Sequence, residues 1–257
     1  MPSFWRVVNS VLQEADIIIE VLDARFPQES RNVEIEEKIR HSGKIILYVI
    51  TKSDLVDRPK LEEAKKELEH AVYISSLEKL GTTKLKKKIL ELSRGHRVVV
   101  GVVGYPNVGK SSLINALAGR HAARTSSESG FTKGLQKIKV DNKIMLLDTP
   151  GVFPETEKGS NVVQNTEYKH ALFGAIDYAK VKDPEQAALG LIERERATIC
   201  KVYNLSKDCL TLPADDVLEI LALRLGRLSK GGKGDLEAVS RQILKDWQTG
   251  KIKRLNV

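Results

Sequence analysis

The sequence contains little cysteine and no long apolar run, and each absence excludes a class of protein. Its two cysteines, Cys200 and Cys209, lack the spacing of metal ligands and have no pair of histidines nearby. We therefore expect reduced thiols rather than a disulfide framework or a zinc site. No apolar segment approaches the ~20 residues that a membrane-spanning helix needs, and the opening stretch MPSFWRVVNSVLQEAD lacks the pattern of a signal peptide. These absences predict a cytoplasmic protein that does not enter a membrane.

The composition is that of a folded, basic protein. The chain has 257 residues, of which 41% are hydrophobic and 30% charged, which suits one large domain or two smaller ones and excludes a disordered chain. Its net charge of +8 is concentrated in three basic stretches, within residues 84–97, 120–139 and 245–254. Such clusters favour a polyanionic partner, for which nucleic acid is the candidate. Solvent-exposed faces of helices are the alternative explanation.

Short β-branched runs alternate with helical patterns in the first part of the chain. This alternation predicts a three-layer α/β fold with a mostly parallel sheet and helices on both faces. The predicted strands are 17–22, 45–50, 72–74, 98–103 and 144–147, with an edge strand at 136–140. The predicted helices are 31–41, 59–70, 82–93, 110–118, 215–225 and 235–247, the last preceded by a glycine-rich connector at 229–235. We expect two domains, 1–155 and 156–257, of which the second is small and helical.

The stretch GYPNVGKSS, residues 104–112, matches the phosphate loop Gly-x-x-x-x-Gly-Lys-Ser. It lies between a predicted strand and a predicted helix, which is the context that such a loop requires. Backbone N–H groups would wrap the phosphates, Lys110 would reach the terminal phosphates, and the Ser111 hydroxyl would ligate Mg²⁺. A chance glycine-rich turn is the alternative. The predicted phosphate-binding residues are Asn107, Val108, Gly109, Lys110, Ser111, Ser112 and, further along the chain, Gly151.

Two further motifs complete the predicted magnesium and γ-phosphate site. The stretch DTPG, residues 148–151, follows a predicted strand, so Asp148 would hold Mg²⁺ and the Gly151 N–H would sense the γ-phosphate. The small polar segment TSSESGFTKG, residues 125–134, suits a loop that a bound triphosphate orders, with Thr132 as a second hydroxyl ligand of Mg²⁺. An ordinary surface threonine is the alternative for Thr132. Lys110, Thr132 and Gly151 are therefore the predicted catalytic groups.

A base-reading motif precedes the phosphate loop instead of following it. The stretch TKSD, residues 51–54, is similar to Asn-Lys-x-Asp, in which the Asp54 carboxylate would accept N1–H and N2–H of guanine while the Lys52 stem packs on the base. Thr51 stands where asparagine is usual, so we expect weaker base binding with guanine preference retained. Ser75 and Ser76 follow another predicted strand and resemble a segment whose backbone N–H reaches guanine O6. A turn at a strand end is the alternative for TKSD.

The order of these motifs resembles that of the circularly permuted GTPases, and within them the ribosome-assembly type called YlqF-like. The stretch VLDARFPQESRN, residues 21–32, also looks like the Asp-Ala-Arg-x-Pro…Arg-Asn segment of that family. The resemblance implies GTP and GDP as ligands, a role in maturation of the large ribosomal subunit, and a C-terminal domain that contacts ribosomal RNA. The permuted order sends the DTPG loop directly into the helical domain, so we expect the nucleotide state to be coupled to that domain.

Two departures from related GTPases bear on hydrolysis. Val152 follows DTPG where many GTPases carry a water-orienting glutamine, so we expect slow intrinsic hydrolysis. Some similar GTPases with an apolar residue at this position use a potassium ion held by an asparagine of the phosphate loop. The resemblance therefore implies Asn107 as a K⁺ ligand. The alternative is that Asn107 only fixes the loop by hydrogen bonds. No histidine precedes His41, so the N-terminal histidine of some YlqF-like members is missing and the water-activating group stays unassigned.

The sequence therefore predicts a monomeric GTP-hydrolysing factor that acts in large-subunit assembly. It would use Mg²⁺ and, through Asn107, K⁺, with turnover stimulated by potassium and ribosomal particles. One alternative is a nucleotide-gated rRNA-binding module with negligible turnover, which Val152 and the missing histidine favour. The other is an ATPase with a degenerate base site, which Thr51 suggests.

Overall fold

The computed structural model describes residues 4–119, 136–148, 170–172, 174 and 176–253. The chain divides into two compact units, Met1–Ser160 and Asn161–Val257. Within the described ranges, no helix is both long enough and apolar enough to cross a membrane. Thr132, Gly151 and Val152 lie outside the described residues, so the expectations about them remain predictions.

The first unit is built on a six-stranded sheet. Its strands are β1 (Ile17–Asp23), β2 (Ile45–Thr51), β3 (Ala71–Tyr73), β4 (Val98–Val103), β5 (Gln136–Lys139) and β6 (Ile144–Asp148). Their order across the sheet is β3-β2-β1-β4-β6-β5, and among these described strands β5 alone runs antiparallel to its neighbour. The mostly parallel sheet and the edge strand near 136–140 are therefore confirmed.

Helices pack against this sheet. They are α1 (Phe4–Glu14), α2 (Val33–His41), α3 (Arg58–Lys66), α4 (Thr82–Leu92) and α5 (Lys110–Ala118). Val11 of α1 and Ile39 of α2 are fully buried in one cluster with Ile18 of β1. Gly101 of β4 allows α1 to approach the sheet, because a Cβ at that position would lie 2.3 Å from a methyl group of Val11. Helix α1 has no counterpart among the predicted elements.

The register of the sheet places the carboxyl ends of four parallel strands at one edge. Asp23 of β1 pairs with Thr51 of β2, and Glu20 of β1 pairs with Val103 of β4. Asp148 at the end of β6 pairs with Val102 of β4. Ligands of open α/β sheets bind at this edge. The loops that follow β1, β2 and β4, together with Asp148 at the end of β6, therefore lie on one side of the first unit.

The described part of the second unit is helical, as predicted. Its helices are α6 (Pro184–Val202), α7 (Ala214–Arg224) and α8 (Leu236–Gln248). Val239, Ile243 and Trp247 form a fully buried stripe of α8, which confirms the helical pattern at 235–247. Cys200 and Cys209 are buried free thiols. Helix α6 was not predicted from the sequence.

Candidate nucleotide-binding site

The phosphate loop lies between β4 and α5, in the predicted context. Helix α5 begins at Lys110, and the preceding Gly109 has a φ of 108°, a left-handed conformation that suits glycine. Asn107 is exposed and also has a positive φ, of 59°. Left-handed residues within a loop bring successive backbone N–H groups together into a concavity that attracts anions. The fully buried Val108 side chain anchors the loop in the core, whereas Ser112 is exposed in the first turn of α5.

Lys110 folds back over this loop. Its Nζ donates hydrogen bonds to the carbonyl oxygens of Gly104, at 2.8 Å, and Tyr105, at 2.5 Å. Burial lowers the pKa of Lys110 to about 8, although the nearby Asp148 carboxylate favours its charged form. An anion bound in the loop would add a second favourable charge. The ammonium group of Lys110 therefore lies in the loop before any phosphate arrives.

Ser111 and Asp148 supply oxygen donors for a divalent cation. Ser111 is the second residue of α5, and Asp148 ends β6 beside β4. Asp148 is buried, and its charge partly opposes the lowering of the Lys110 pKa by burial. A carboxylate and a hydroxyl are hard oxygen ligands, which Mg²⁺ prefers. The residues present at this position therefore fit the predicted ion.

Thr51 joins the base side of the site to the phosphate side. The residue ends β2, and its hydroxyl lies within hydrogen-bond distance of two carbonyl oxygens, that of Leu22 at 2.9 Å and that of Val108 in the phosphate loop. The loop also approaches Thr51 closely at Gly109, where a Cβ would lie 3.2 Å from the hydroxyl oxygen. The threonine that replaces the usual asparagine thus contacts the phosphate loop directly.

A buried ion cluster holds Lys52, which has a left-handed φ of 56°. Its Nζ donates to a carboxylate oxygen of Asp23 at 2.7 Å. Asp23 ends β1 and also accepts hydrogen bonds from the Arg25 backbone N–H at 3.0 Å and from the Arg25 guanidinium at 3.0 and 2.9 Å. Burial opposes ionisation of Asp23, but Arg25 and Lys52 together hold its pKa well below the ordinary value. We name these three residues the Asp23 cluster.

Asp23 and Arg25 are not among the predicted site residues, although one signal was available in the sequence: Asp23 closes an apolar strand, as Asp148 does. The structure shows that Arg25 is fully buried, and a buried arginine needs an acidic partner. The Ala24 N–H donates to the Thr51 carbonyl at 3.0 Å, which fastens this segment to the end of β2. The family-like segment at 21–32 therefore lies directly beside the base motif.

Asp54 is held by Ser75. The Ser75 hydroxyl donates to Asp54 Oδ1 at 2.6 Å and accepts the Glu78 N–H at 3.0 Å. The Ser75 backbone N–H donates to the Leu80 carbonyl at 3.1 Å, so this N–H of the segment expected to reach guanine O6 already has a partner. Ser76 follows as a half-buried residue. The structure thus brings Thr51, Lys52, Asp54 and Ser75 together at the ends of β2 and β3.

Several known proteins are similar to this chain in sequence. The family model described as 50S ribosome-binding GTPase matches residues 99–205, a stretch that begins in β4 and does not include the base motif. An uncharacterized GTP-binding protein of Methanocaldococcus jannaschii is 38% identical over 256 residues, 96% of this chain and 65% of that protein. The nuclear GTP-binding protein NUG1 of Saccharomyces cerevisiae is 32% identical over 97% of this chain and 55% of its own length. The chain thus spans about half to two thirds of the length of these relatives.

A solved structure shows the same fold. The crystal structure of GNP-bound YlqF from T. maritima matches with a TM-score of 0.67 and 23% sequence identity, covering 98% of this chain and 95% of that chain. At this level of identity the match establishes architecture, and the permuted order of the motifs along the present chain agrees with it. The chain is therefore similar along almost its whole length to proteins named as GTP-binding, has the fold of YlqF, and carries its motifs in the order of the circularly permuted GTPases.

Proposed function

We propose that the chain binds GTP and GDP at the carboxyl edge of its sheet and hydrolyses GTP with the help of Mg²⁺. The observation that carries this proposal is the contact of the Thr51 hydroxyl with the Val108 carbonyl, because it joins the base motif and the phosphate loop in one site. The matching family model describes a GTPase, and both curated relatives have GTP-binding in their names.

Asp54 is the proposed reader of guanine. Guanine offers N1–H and N2–H as paired donors to a carboxylate, an arrangement that adenine lacks. The Ser75 hydroxyl fixes the Asp54 carboxylate, and the ion pair with Asp23 fixes the Lys52 stem that would cover the base. Ser76 is the proposed donor of a backbone N–H to guanine O6, because the Ser75 N–H is used within the protein.

The base-reading role of Asp54 is tested by Asp54→Asn. Loss of a hydrogen bond from a charged group costs about 1.5–3 kcal/mol, so GDP affinity should fall by about 10- to 100-fold while affinity for xanthosine diphosphate rises. Nucleotide titration of the full chain measures both, with Glu63→Gln on the exposed face of α3 as the matched control. Retained GDP preference in Asp54→Asn would contradict the role. Equal binding of ADP and GDP by the unchanged protein would favour the ATPase alternative.

Lys110, Ser111 and Asp148 are proposed to act on the phosphates. Mg²⁺, when bound, would neutralise charge on the β- and γ-phosphates, and Ser111, Asp148 and Thr132 are its proposed holders. Lys110 would transfer its hydrogen bonds from the loop carbonyls to phosphate oxygens. The remaining proposed phosphate-site residues are Asn107, Val108, Gly109, Ser112 and Gly151, of which Asn107 would also hold K⁺ and the Gly151 N–H would sense the γ-phosphate.

We further propose that the protein is a cytoplasmic monomer that acts in assembly of the large ribosomal subunit. The description of the family model names binding to the 50S ribosome, and the net charge of +8 suits an RNA-rich partner. GTP turnover in potassium and in sodium buffer, with and without large ribosomal subunits, tests the activity. Stimulation by potassium and by subunits is the expected result. Tight GTP binding without turnover in every condition would leave the alternative, a nucleotide-gated rRNA-binding module.

Coupling between the nucleotide and the helical unit is supported by the contacts of the segment that follows DTPG. The described part of this segment begins at residue 170, and three side chains of α8 donate hydrogen bonds to backbone carbonyls of residues 171, 172 and 178. Trp247 Nε1 donates to Leu172 at 2.6 Å, Gln248 Nε2 donates to Ala171 at 2.8 Å, and Arg241 donates to Tyr178 at 3.1 Å. We propose that a change at the γ-phosphate sensor is passed along the chain to the residues that α8 holds.

A further inference from the structure

The predicted glycine-rich connector between α7 and α8 is a defined turn, which we name the basic hairpin, residues 227–234. Leu228 pairs with Gly234 across it. The Ser229 N–H donates to the Lys233 carbonyl at 2.8 Å, and the Gly232 N–H donates to the Ser229 carbonyl at 3.1 Å. Gly231, the third residue of that inner turn, has a φ of 100°, as the third position of a type II turn requires.

Both flanking helices fix the base of the basic hairpin. The Arg227 N–H donates to the Ala222 carbonyl of α7 at 2.8 Å, and the Arg227 carbonyl accepts the Asp235 N–H at 2.8 Å. The Arg227 guanidinium donates to the Gln242 side chain of α8 at 3.0 Å. Gly234 lies against α7 so closely that a Cβ there would be 2.9 Å from the Cβ of Ala222. The hairpin is therefore held in one position relative to these two helices.

The tip of the basic hairpin is open. Lys230 and Lys233 are exposed, and a Cβ at either Gly231 or Gly232 would meet no atom within 4 Å. These two glycines therefore serve the turn geometry and leave room for another molecule to approach the backbone. Leu228, which pairs with Gly234 across the hairpin, is also exposed.

The charge of this surface is not neutralised within the protein. Arg224, Lys230 and Lys233 form no salt bridge in the part of the chain that the structure describes. Asp235 is the acidic residue of the stretch 224–235, and its carboxylate accepts the Ala238 N–H at 2.9 Å as the N-cap of α8. The surface thus presents cations without a counterion.

The predicted basic stretch near the end of the chain differs from the basic hairpin. Lys251 pairs with the buried Asp246 at 2.7 Å, and Lys245 lies over the ring of Tyr178 at 5.9 Å from its centre. Asp246 also accepts the Tyr203 hydroxyl at 2.8 Å. Those two lysines therefore contribute to the internal packing of the second unit, whereas Lys230 and Lys233 lie together on one exposed turn.

We propose that the basic hairpin is the surface by which the second unit binds RNA, through the sugar–phosphate backbone. This inference rests on the proposed function and names the element that performs its RNA-binding part. Lysine and arginine bind phosphate without reading sequence, and the open glycine backbone admits a phosphate group close to the chain. An RNA of the large ribosomal subunit is the ligand that matches both the charge and the proposed role.

The test uses the full chain and naked large-subunit rRNA in filter-binding assays between 50 and 300 mM KCl. Lys230→Ala/Lys233→Ala should lower RNA affinity by about tenfold or more at low salt. It should also reduce the slope of log affinity against log salt by about 1.4–1.8, because each lost phosphate contact removes about 0.7–0.9. Lys201→Ala/Lys207→Ala, which removes the same charge from exposed sites in the same unit, is the matched control and should change neither quantity.

Three outcomes would overturn the proposal. One is an unchanged affinity and salt slope in Lys230→Ala/Lys233→Ala. Another is wild-type protein that binds GDP but no RNA at 50 mM KCl. That result would reject the RNA-binding surface without affecting the proposed nucleotide site. The third is a double variant that no longer binds whole large subunits although neither it nor the wild-type protein binds naked rRNA. That result would make the partner of the hairpin an acidic protein surface. GDP titration of the variants shows separately whether the nucleotide site is formed.

Discussion

Asp23 and Glu20 are two fully buried carboxyl groups on one strand, three residues apart, and their environments drive their ionisation in opposite directions. Asp23 lies at the end of β1, between the cations of Arg25 and Lys52. Glu20 lies in the middle of the strand, where its Oε1 accepts the Asn32 N–H at 2.7 Å. The same strand therefore carries the charged Asp23 cluster at its carboxyl end and, in its middle, the buried Glu20, which forms no salt bridge with any described residue.

The difference follows from which acid the cations contact. Near Glu20 the cations go to Glu36, which accepts two hydrogen bonds from Arg31, at 2.7 and 2.8 Å, and one from Arg40 at 2.8 Å. Burial raises the pKa of Glu20 well above its usual range, and the negative charge of Glu36 adds to this effect. Burial alone would raise the pKa of Glu36 too, but its arginine partners lower it. Two carboxyl groups that share one site cannot both ionise easily.

Asp23→Asn is the change with the largest expected effect, because it breaks the Asp23 cluster. The asparagine keeps the shape but leaves two buried cations without a countercharge. Removing one partner of a buried ion pair costs about 3–5 kcal/mol in the free energy of unfolding, which urea unfolding would measure. Since Lys52 loses its partner, GDP affinity should also fall by about tenfold or more, which titration with fluorescent GDP would measure.

A double-mutant cycle separates these two effects of Asp23→Asn. Lys52→Met keeps most of the stem but removes the cation. If Asp23 acts on the nucleotide by positioning Lys52, its substitution should lower GDP affinity much less in the Lys52→Met background. Equal losses in both backgrounds would reduce Asp23 to a structural residue. The matched control is Glu36→Gln, whose partners Arg31 and Arg40 lie outside the proposed site; it should lower stability without lowering GDP affinity.

Lys110 extends the comparison to a buried cation, with an intermediate expected effect. Because burial lowers the pKa of Lys110 to about 8, the nucleotide-free protein loses this charge above pH 8, whereas bound phosphates would retain it. GDP affinity should therefore fall between pH 8 and 9, by up to about tenfold per pH unit, with proton uptake on binding. Calorimetric titration in two buffers of different ionisation enthalpy measures both. Guanosine, which has no phosphate, is the control, and GDP affinity that stays constant between pH 7 and 9 would exclude this role.

The positions of the strands and of most helices could be predicted because they depend on local periodicity. Helix α5, for example, has the predicted bounds 110–118, since a phosphate loop precedes it and Gly119 ends it with a left-handed φ of 73°. The edge strand β5 was recognisable from its alternating pattern, with Ile138 as its buried residue. These features are encoded in neighbouring residues.

The contacts within the site could not be predicted because they depend on the register of the sheet. The pairing of Asp23 with Thr51 across β1 and β2 brings Lys52 to Asp23, and nothing in either segment alone indicates it. The role of the Ser75 hydroxyl as a partner of Asp54 likewise requires β3 to lie beside β2. The motifs indicate which residues could contact a nucleotide, and the register of the sheet determines which other residues hold them.

Glu20→Gln has the smallest expected effect and tests the comparison through its pH dependence. With the folded-state pKa raised, the folded protein keeps a proton that the unfolded protein loses above about pH 4.5, so the stability contributed by Glu20 is lost as pH rises. Asp23 has the opposite sign, since its contribution is lost as pH falls through its lowered pKa. Glutamine mimics the protonated acid, so the stability of the variant relative to wild type should rise between pH 5 and 8, while the cost of Asp23→Asn stays constant over that range. Urea unfolding at pH 5, 6.5 and 8 measures both slopes. A parallel pH dependence in Glu20→Gln and wild type would show that Glu20 is ionised in the folded protein. Glu20 and Asp23 would then not differ in their ionisation.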